Sequence, residues 1–224
     1  MSIAENLKRL EEEIPNNIKI IAVSKTHPKE VIKEVYDSGH RVFGENKAQE
    51  MTEKHKELPQ DIEWHMIGHL QTNKVKYIAP FVAMIHSVDS FKLLKEINKE
   101  AIKNDRVIDC LLQIDIANED TKFGMLEKEA EELLSLNEFL TLNNIRICGV
   151  MGIGSITDDR NKTAQEFRNL KSSFAKLKET YFKNEDYFSE ISMGMSSDYD
   201  IAISEGSTIV RIGSLIFGER EYLK

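Results

Sequence analysis

The sequence predicts a single (β/α)8 barrel preceded by one extra helix. Eight short apolar runs recur along the 224 residues, and charged stretches with helical periodicity separate them. The runs are almost continuously apolar rather than alternating, which is typical of parallel strands that helices cover on both faces. No proline-rich linker or low-complexity tract interrupts the pattern, so we expect one domain over residues 1–224. An open, doubly wound sheet is the alternative architecture.

The elements follow from periodicity, in chain order. The extra first helix is indicated by apolar residues at steps of three and four, namely Ile3, Leu7, Leu10 and Ile14. The candidate strands are IKIIAV, RVFG, IEWHMIG, VAMIHSV, VIDCLLQIDI, IRICGVMGIG, FSEISMG and TIVRIGS. The two clearest helical stripes consist of Leu94, Ile97 and Ala101, and of Phe167, Leu170, Phe174, Leu177 and Tyr181. Both stripes face the core in this interpretation.

Composition excludes several classes of protein. The formal net charge of -8 disfavours a sequence-independent grip on nucleic acid phosphates. Cys110 and Cys148 lie in apolar runs without zinc-ligand spacing, so we expect buried free thiols in a reducing compartment and no metal site. No segment reaches the roughly 20 apolar residues of a membrane span, and no signal peptide is recognisable. We therefore expect a cytoplasmic protein.

Lys25 is the first candidate site residue, because active sites of parallel barrels lie at the carboxyl ends of the strands. Strand alternation puts Ile21, Val23 and Lys25 on one face, which would bring the lysine to the barrel mouth. Partial desolvation there favours the neutral amine, which is a nucleophile. A solvated lysine that merely follows the strand is the competing interpretation.

Asn46 and Arg211 belong to the same predicted rim. Asn46 follows the second strand, where its amide could bind a ligand or cap the next helix, and the sequence does not separate these roles. Arg211 lies inside the last apolar strand on the same face as Ile209 and Gly213, so its guanidinium needs an acceptor. A ligand atom inside the barrel and a structural salt bridge are both open.

A phosphate site is predicted after the last two strands, where barrels commonly bind phosphate. The segments SMGMSSD and RIGS place glycines, hydroxyls and backbone N–H groups there, including Gly194, Gly213, Ser192, Ser196 and Ser214. Ordinary capping by Ser196, Ser197 and Asp198 of a helix that ends at Gly206 is the alternative, and both could hold.

Four histidines lie in or after these strands. His65 and His86 are inside strands three and four and are interpreted as core residues. His27 and His69 follow strands one and three near the rim. The four are not arranged with carboxylates at metal-ligand spacing.

Five segments, VSKTHP, FGEN, EWHMIGHLQTNK, VMGIGS and SMGMSSDYDIAISEGSTIVRIGSLIFGERE, occur in this order and are spread over the strand–helix units. Together they closely resemble the pyridoxal phosphate homeostasis proteins, also called the proline synthetase co-transcribed family. Each motif alone is weak, but the ordered set is specific; residues 100–145 carry no such motif. The resemblance implies a barrel similar to the N-terminal domain of alanine racemase, with pyridoxal 5′-phosphate (PLP) bound at its mouth.

The resemblance also implies roles for individual residues. Lys25 would form the Schiff base with PLP, Asn46 would lie beside the cofactor ring, and Arg211 would face the pyridine nitrogen. The implied phosphate cradle consists of Ser192, Met195, Ser196, Gly213 and Ser214, some of them through backbone N–H groups.

Two functions are weighed. One is a carrier or reservoir that binds PLP, keeps its level and passes it to apo-enzymes; the other is a racemase-like enzyme. Racemisation needs a base on each face of the substrate α-carbon, and in alanine racemase the second base is a tyrosine from an additional C-terminal domain. The sequence ends after strand eight, so we expect no equivalent base and no substantial turnover, although Tyr199 or a rim histidine stays open.

Arg211 bears on the same choice, because a cationic partner disfavours the pyridinium proton and weakens PLP as an electron sink. Alanine racemase works with an arginine there, so this does not exclude an enzyme. A regulatory protein that uses PLP as a signal is also open. We expect PLP and acceptor apo-enzymes as partners, no nucleic acid or membrane, and a monomer or weak dimer.

Overall fold

The structure, a computed structural model, describes residues 2–117 and 123–218. Eight parallel strands close into a barrel in chain order. The strands are β1 (Lys19–Val23), β2 (Val42–Glu45), β3 (Glu63–Met66), β4 (Met84–Val88), β5 (Ile108–Gln113), β6 (Ile145–Met151), β7 (Glu190–Met195) and β8 (Ile209–Ile212). Each coincides with one predicted run, although β2 and β7 end one residue beyond theirs, at Glu45 and Met195. β1 pairs with β8 as well as with β2, which excludes the open sheet.

Helices connect the strands and cover the outside of the barrel. They are α1 (Ile3–Glu13), α2 (Lys29–Asp37), α3 (Ala48–Glu57), α4 (Val75–Ile78), α5 (Phe91–Lys103), α6 (Glu127–Leu134), α7 (Arg160–Tyr181), α8 (Tyr199–Ser204) and α9 (Ser214–Phe217). Short 3-10 helices span Thr72–Lys74 and Phe139–Thr141. The predicted stripes on α5 and α7 pack against the core. No helix in the described ranges is long and apolar enough to cross a membrane.

The apolar residues form two layers. The larger layer fills the space between strands and helices and includes Trp64, Phe43 and Phe167. The smaller layer fills the inside of the barrel and consists of Ile21, Val23, Ile67, Met84, Leu111, Cys148, Met151 and Ile209. The barrel is therefore packed along most of its axis, and a ligand is accommodated at its mouth.

The extra first helix begins with a capping box, in which Ser2 and Glu5 exchange hydrogen bonds with each other's backbone N–H groups. Its residues Leu7 and Leu10 are buried against the core. The Asn6 amide donates to the carbonyl of Ile216 at 3.2 Å, which ties α1 to α9. The first and last helices of the described chain thus pack together beside the β1–β8 pair.

Both cysteines are buried free thiols, as the sequence predicts. Burial raises the pKa of the Cys148 thiol to about 12, and burial raises the pKa of Cys110 as well. A thiol with a raised pKa is a poor nucleophile, so neither cysteine is suited to chemistry.

Candidate cofactor site at the barrel mouth

The carboxyl ends of the strands surround a cavity of about 740 Å³. Cavities of roughly 300–1,000 Å³ hold ligands the size of a cofactor. The residues that line it are Val23, Lys25, His27, Asn46, Ile67, Ile153, Met195, Ser196, Ser197, Arg211, Gly213, Ser214, Leu215 and Gly218. Seven of the eight predicted site residues are among them, and Ser192 is not.

Lys25 lies in the cavity wall, half-buried, directly beyond β1. The strand alternation sends Ile21 and Val23 into the barrel interior, and the chain then turns at the mouth. His27 enters the same wall, and its ring stacks on Phe217 of α9 with the centroids 4.7 Å apart. The structure therefore places the lysine within the cavity, and the turn that carries it contacts α9 through His27.

Asn46 lines the cavity next to β2 and does not cap the following helix. Lys47 occupies the N-cap position of α3 and makes no side-chain capping bond with the described residues. Gly68 holds Asn46 from the other side, because a Cβ at Gly68 would lie 2.6 Å from the Asn46 carbonyl oxygen. Only glycine permits this approach. The glycine is visible in the sequence motif IGH, but the reason for it becomes clear only from the fold.

Arg211 forms the floor of the cavity and points into the barrel, with 4% of its surface exposed. Its guanidinium donates to Ser192 Oγ at 2.8 Å and to the carbonyl of Gly152 at 3.0 Å. Burial lowers the pKa of Arg211 to about 10, so the group stays cationic near neutral pH. The salt-bridge interpretation is wrong for the described residues, among which Arg211 makes no ion pair.

Below Arg211, a chain of hydrogen bonds continues through the barrel interior. Ser192 Oγ bonds His86 Nδ1 at 3.0 Å, and His86 Nε2 bonds His65 Nδ1 at 2.8 Å. Burial lowers the pKa of His65 to about 3 and that of His86 well below its ordinary value. Both rings are therefore neutral, which agrees with the core interpretation. Ser192, fully buried, supports Arg211 from below rather than lining the cavity.

The polar end of the cavity lies at the loops after β7 and β8. Met195, Ser196, Gly213 and Ser214 all line it, as does Ser197, which the predicted set lacks. The N–H of Gly213 donates to Ser196 Oγ at 3.1 Å, which joins the two loops and leaves the Ser196 hydroxyl proton for another acceptor.

The capping alternative is only partly right. Asp198 is in the N-cap position of α8, but its carboxylate accepts from the N–H of Met195 at 2.6 Å and makes no cap bond within the described chain. Gly206 follows the end of α8 with φ 98°, as predicted. Gly194 does not line the cavity.

Several wall residues were outside the sequence prediction. They are Val23, His27, Ile67, Ile153, Ser197, Leu215 and Gly218. Position after a strand end was a usable signal for His27 and Ser197, whereas the aliphatic residues are indistinguishable from core by pattern. No group of three or more potential metal ligands occurs within residues 2–117 and 123–218.

A family model of the alanine racemase N-terminal domain matches residues 1–221. The pyridoxal phosphate homeostasis protein of Aquifex aeolicus (strain VF5) is 42% identical over 99% of this chain and 100% of its own length. That of Escherichia coli (strain K12) is 34% identical over 99% of this chain and 98% of its own length. The chain belongs to the pyridoxal phosphate homeostasis protein family. The family that the sequence motifs predict is thereby confirmed; the last motif residues, 219–221, lie outside the described structure.

Solved structures place the family within a wider fold group. PipY of Synechococcus elongatus PCC7942, solved with PLP bound, aligns with a TM-score of 0.88 at 34% identity, over 97% of this chain and 100% of PipY. Alanine racemase of Clostridium difficile 630 aligns with a TM-score of 0.75 at 15% identity, over 99% of this chain and 58% of the racemase. The predicted likeness to the alanine racemase barrel is confirmed, and at this identity it concerns the fold alone.

Proposed function

We propose that this member of the pyridoxal phosphate homeostasis protein family binds PLP as a Schiff base on Lys25 and acts as a PLP carrier or reservoir. The observation that carries the proposal is one cavity that has an amine in its wall, a cation at its floor and hydroxyl groups at its polar end. PipY, whose structure contains PLP, belongs to the same fold and aligns over almost the whole chain.

The donors in the cavity fit the parts of PLP. A Schiff base needs a lysine amine, and Lys25 supplies one. A phosphate needs hydrogen-bond donors, and Ser196, Ser197 and Ser214 are grouped in the loops after β7 and β8. An unprotonated pyridine nitrogen accepts a hydrogen bond, and Arg211 is a cationic donor held rigidly by Ser192. When bound, PLP would supply an aldehyde carbon that is open to attack by an amine.

A racemase-like activity is the second candidate, and the site supports it less well. Among the described residues that line the cavity, no tyrosine and no carboxylate side chain is present, and His27 is the one imidazole. Amino-acid chemistry needs a clamp for the substrate carboxylate and a second base on the opposite face of the α-carbon. Lys25 and Arg211 are the Lys and Arg side chains among the described residues that line the cavity, and the carrier proposal already assigns them to the aldehyde and the ring nitrogen.

The finer points of this function are also proposals. Acceptor apo-enzymes would receive PLP from the carrier, in the cytoplasm. The chain would work as a monomer or weak dimer. We propose no nucleic acid or membrane partner.

Covalent trapping tests the Schiff base. Purified protein loaded with PLP is treated with borohydride, and mass spectrometry of the peptides locates the adduct. We expect the label on the peptide that contains Lys25, and we expect Lys25→Ala to lose the visible absorbance of the imine. A label on another lysine, or an unchanged chromophore in Lys25→Ala, would contradict the assignment.

Turnover and transfer distinguish carrier from enzyme. The loaded protein is incubated with a panel of L-amino acids while chirality and products are followed, and separately with an apo-transaminase whose activity reports transfer. We expect no substantial turnover and transfer faster than from an equal amount of free PLP. Sustained turnover that Lys25→Ala abolishes would establish the enzyme instead, and transfer no faster than from free PLP would leave only the reservoir role.

A further inference from the structure

Lys25 is carried by a tight turn that closes between Ser24 and His27. The N–H of His27 donates to the Ser24 carbonyl at 3.1 Å. Within the turn, Thr26 has φ 68°, in the left-handed region. A β-branched residue is strained there, and such strain persists only where the surroundings impose the conformation. The backbone next to Lys25 is therefore held in place by other groups.

Three hydrogen bonds hold the turn from behind. The Ser24 hydroxyl donates to Glu45 Oε1 at 2.6 Å, and Lys54 Nζ donates to the Ser24 carbonyl at 2.9 Å. The strained Thr26 donates its N–H to Glu50 Oε1 at 2.6 Å. Each residue that flanks Lys25 is thus fixed by a charged side chain.

The charged side chains form one network among themselves. Lys54 Nζ lies 2.7 Å from Glu45 Oε1 and 2.7 Å from Glu50 Oε1. Glu45 at the end of β2 is fully buried, and the Lys54 side chain on α3 is 9% exposed. Lys54 therefore pairs with both carboxylates and joins β2 and α3 to the turn.

Stability alone is a poor explanation for this network. A buried ion pair contributes little net stability, because desolvation offsets much of the attraction. Glu45 Oε2 has no hydrogen-bond partner within the described chain. The whole carboxylate has therefore lost its water, but only Oε1 has gained protein contacts. Those contacts lead to Ser24 and Lys54, and the Glu50 contact leads to Thr26. None of the three charged residues lines the cavity, so they act on it through the turn.

We propose that Glu45, Glu50 and Lys54 are positioning residues that orient Lys25 for imine formation by clamping its turn. The proposal rests on the Schiff-base function proposed above. It assigns a role to the far side of the turn, which does not line the cavity.

Two ligands separate positioning from general damage. PLP can form the imine, whereas pyridoxine 5′-phosphate carries an alcohol instead of the aldehyde and binds through ring and phosphate alone. We expect Lys54→Met and Glu50→Ala to weaken PLP binding and slow imine formation about tenfold or more, since small misplacements of a reacting group are costly. Affinity for pyridoxine 5′-phosphate should stay within about twofold of wild type. Titration and stopped-flow absorbance measure both.

A second clamp variant, a conservative variant and a control complete the test. Glu50 is partly exposed, so Glu50→Ala tests the clamp even if Lys54→Met, which leaves Glu45 uncompensated, does not fold. Lys54→Arg keeps the positive charge that Lys54→Met removes, and it should form the imine faster than Lys54→Met. Asn98→Ala is the matched control, because Asn98 Oδ1 accepts the N–H of Asn144 at 2.8 Å, before β6 at the opposite end of the barrel. It should leave both affinities unchanged.

The outcomes are distinct. Equal losses for both ligands in the clamp variants, or no loss for either, overturn the positioning role. A wild-type protein that gives no borohydride adduct on Lys25 overturns the Schiff-base function instead, and does so before any clamp variant is compared.

Discussion

Arg211 keeps its charge inside the barrel because hydrogen bonds replace the water it lost. Ser192 and the carbonyl of Gly152 accept from it, and the imidazoles of His86 and His65 continue the chain below. A cation fixed in this way is a poor proton donor, so a pyridine nitrogen above it would remain unprotonated. The same contacts make Arg211 rigid, which lowers the entropy lost when a ligand binds.

The hydroxyls at the polar end allow a prediction at the scale of single residues. Ser196→Ala, Ser214→Ala and especially their combination should weaken PLP binding, at roughly 1.5–3 kcal/mol for each lost bond to a charged group. Unphosphorylated pyridoxal should bind about equally poorly to wild type and variants. Equilibrium dialysis with both ligands measures the difference, and a parallel loss for pyridoxal would indicate general damage of the site.

At the scale of elements, Gly149 of β6 pairs with Glu190 of β7 beside a register shift in the sheet. Cys110 of β5 pairs with Ile147 of β6 and Leu111 pairs with Gly149, so Cys148 is an extra residue at this register shift. A Cβ at Gly149, which has φ 153°, would lie 1.8 Å from the Glu190 carbonyl oxygen of β7. Only glycine fits at that position without a movement of the β7 backbone.

Gly149→Ala should therefore be among the most destabilising single substitutions in the barrel. We expect a loss of about 3 kcal/mol or more in the free energy of unfolding, because backbone rather than a flexible side chain must move. Urea denaturation followed by circular dichroism measures it. Gly39→Ala is the control: Gly39 also has a positive φ, 108°, but nothing lies within 4 Å of its added Cβ. Equal losses in both variants would show that φ, and not the approach of β7, decides the effect.

The elements themselves could be predicted from sequence, because each strand is a short apolar run and each long helix carries a stripe. The rim residues Lys25, Asn46 and Arg211 were also predictable, since strand ends and alternation locate them. Lys54 was not, because a lysine on a charged helix normally faces solvent. Its burial depends on contacts with Glu45 and with the Ser24 carbonyl, which form only when β2, α3 and the turn come together in the fold. The need for glycine at positions 68 and 149 is likewise visible only when the neighbouring backbone, at Asn46 and Glu190, is in place.

For the whole molecule, two buried neutral histidines predict acid sensitivity. Lys19 and Arg211 are the charged groups that lower the pKa values of this pair beyond the effect of burial. The unfolded chain takes up protons on both rings below about pH 6.5, whereas the folded barrel does not. Stability that is present above that pH is therefore lost as the pH falls. For His65 the loss continues towards its folded pKa of about 3.

Urea unfolding between about pH 7.5 and about pH 5 measures this slope. The double variant His65→Asn with His86→Asn should unfold with a shallower pH dependence, whatever its stability at neutral pH. An unchanged slope in the double variant would assign the acid sensitivity to other groups.

The pairing of β1 with β8 brings Lys25 into one cavity with Gly213 and Ser214, although seven strands separate them in the order of translation. The lysine emerges from the ribosome early, and the groups opposite it emerge only after the rest of the barrel. A nascent chain therefore carries an exposed amine long before a cavity exists to select its ligand. Tight retention of the cofactor becomes possible only when the last strand docks on the first. Occupancy of the site is accordingly a direct report of barrel closure, and the bound ligand favours the closed form by mass action.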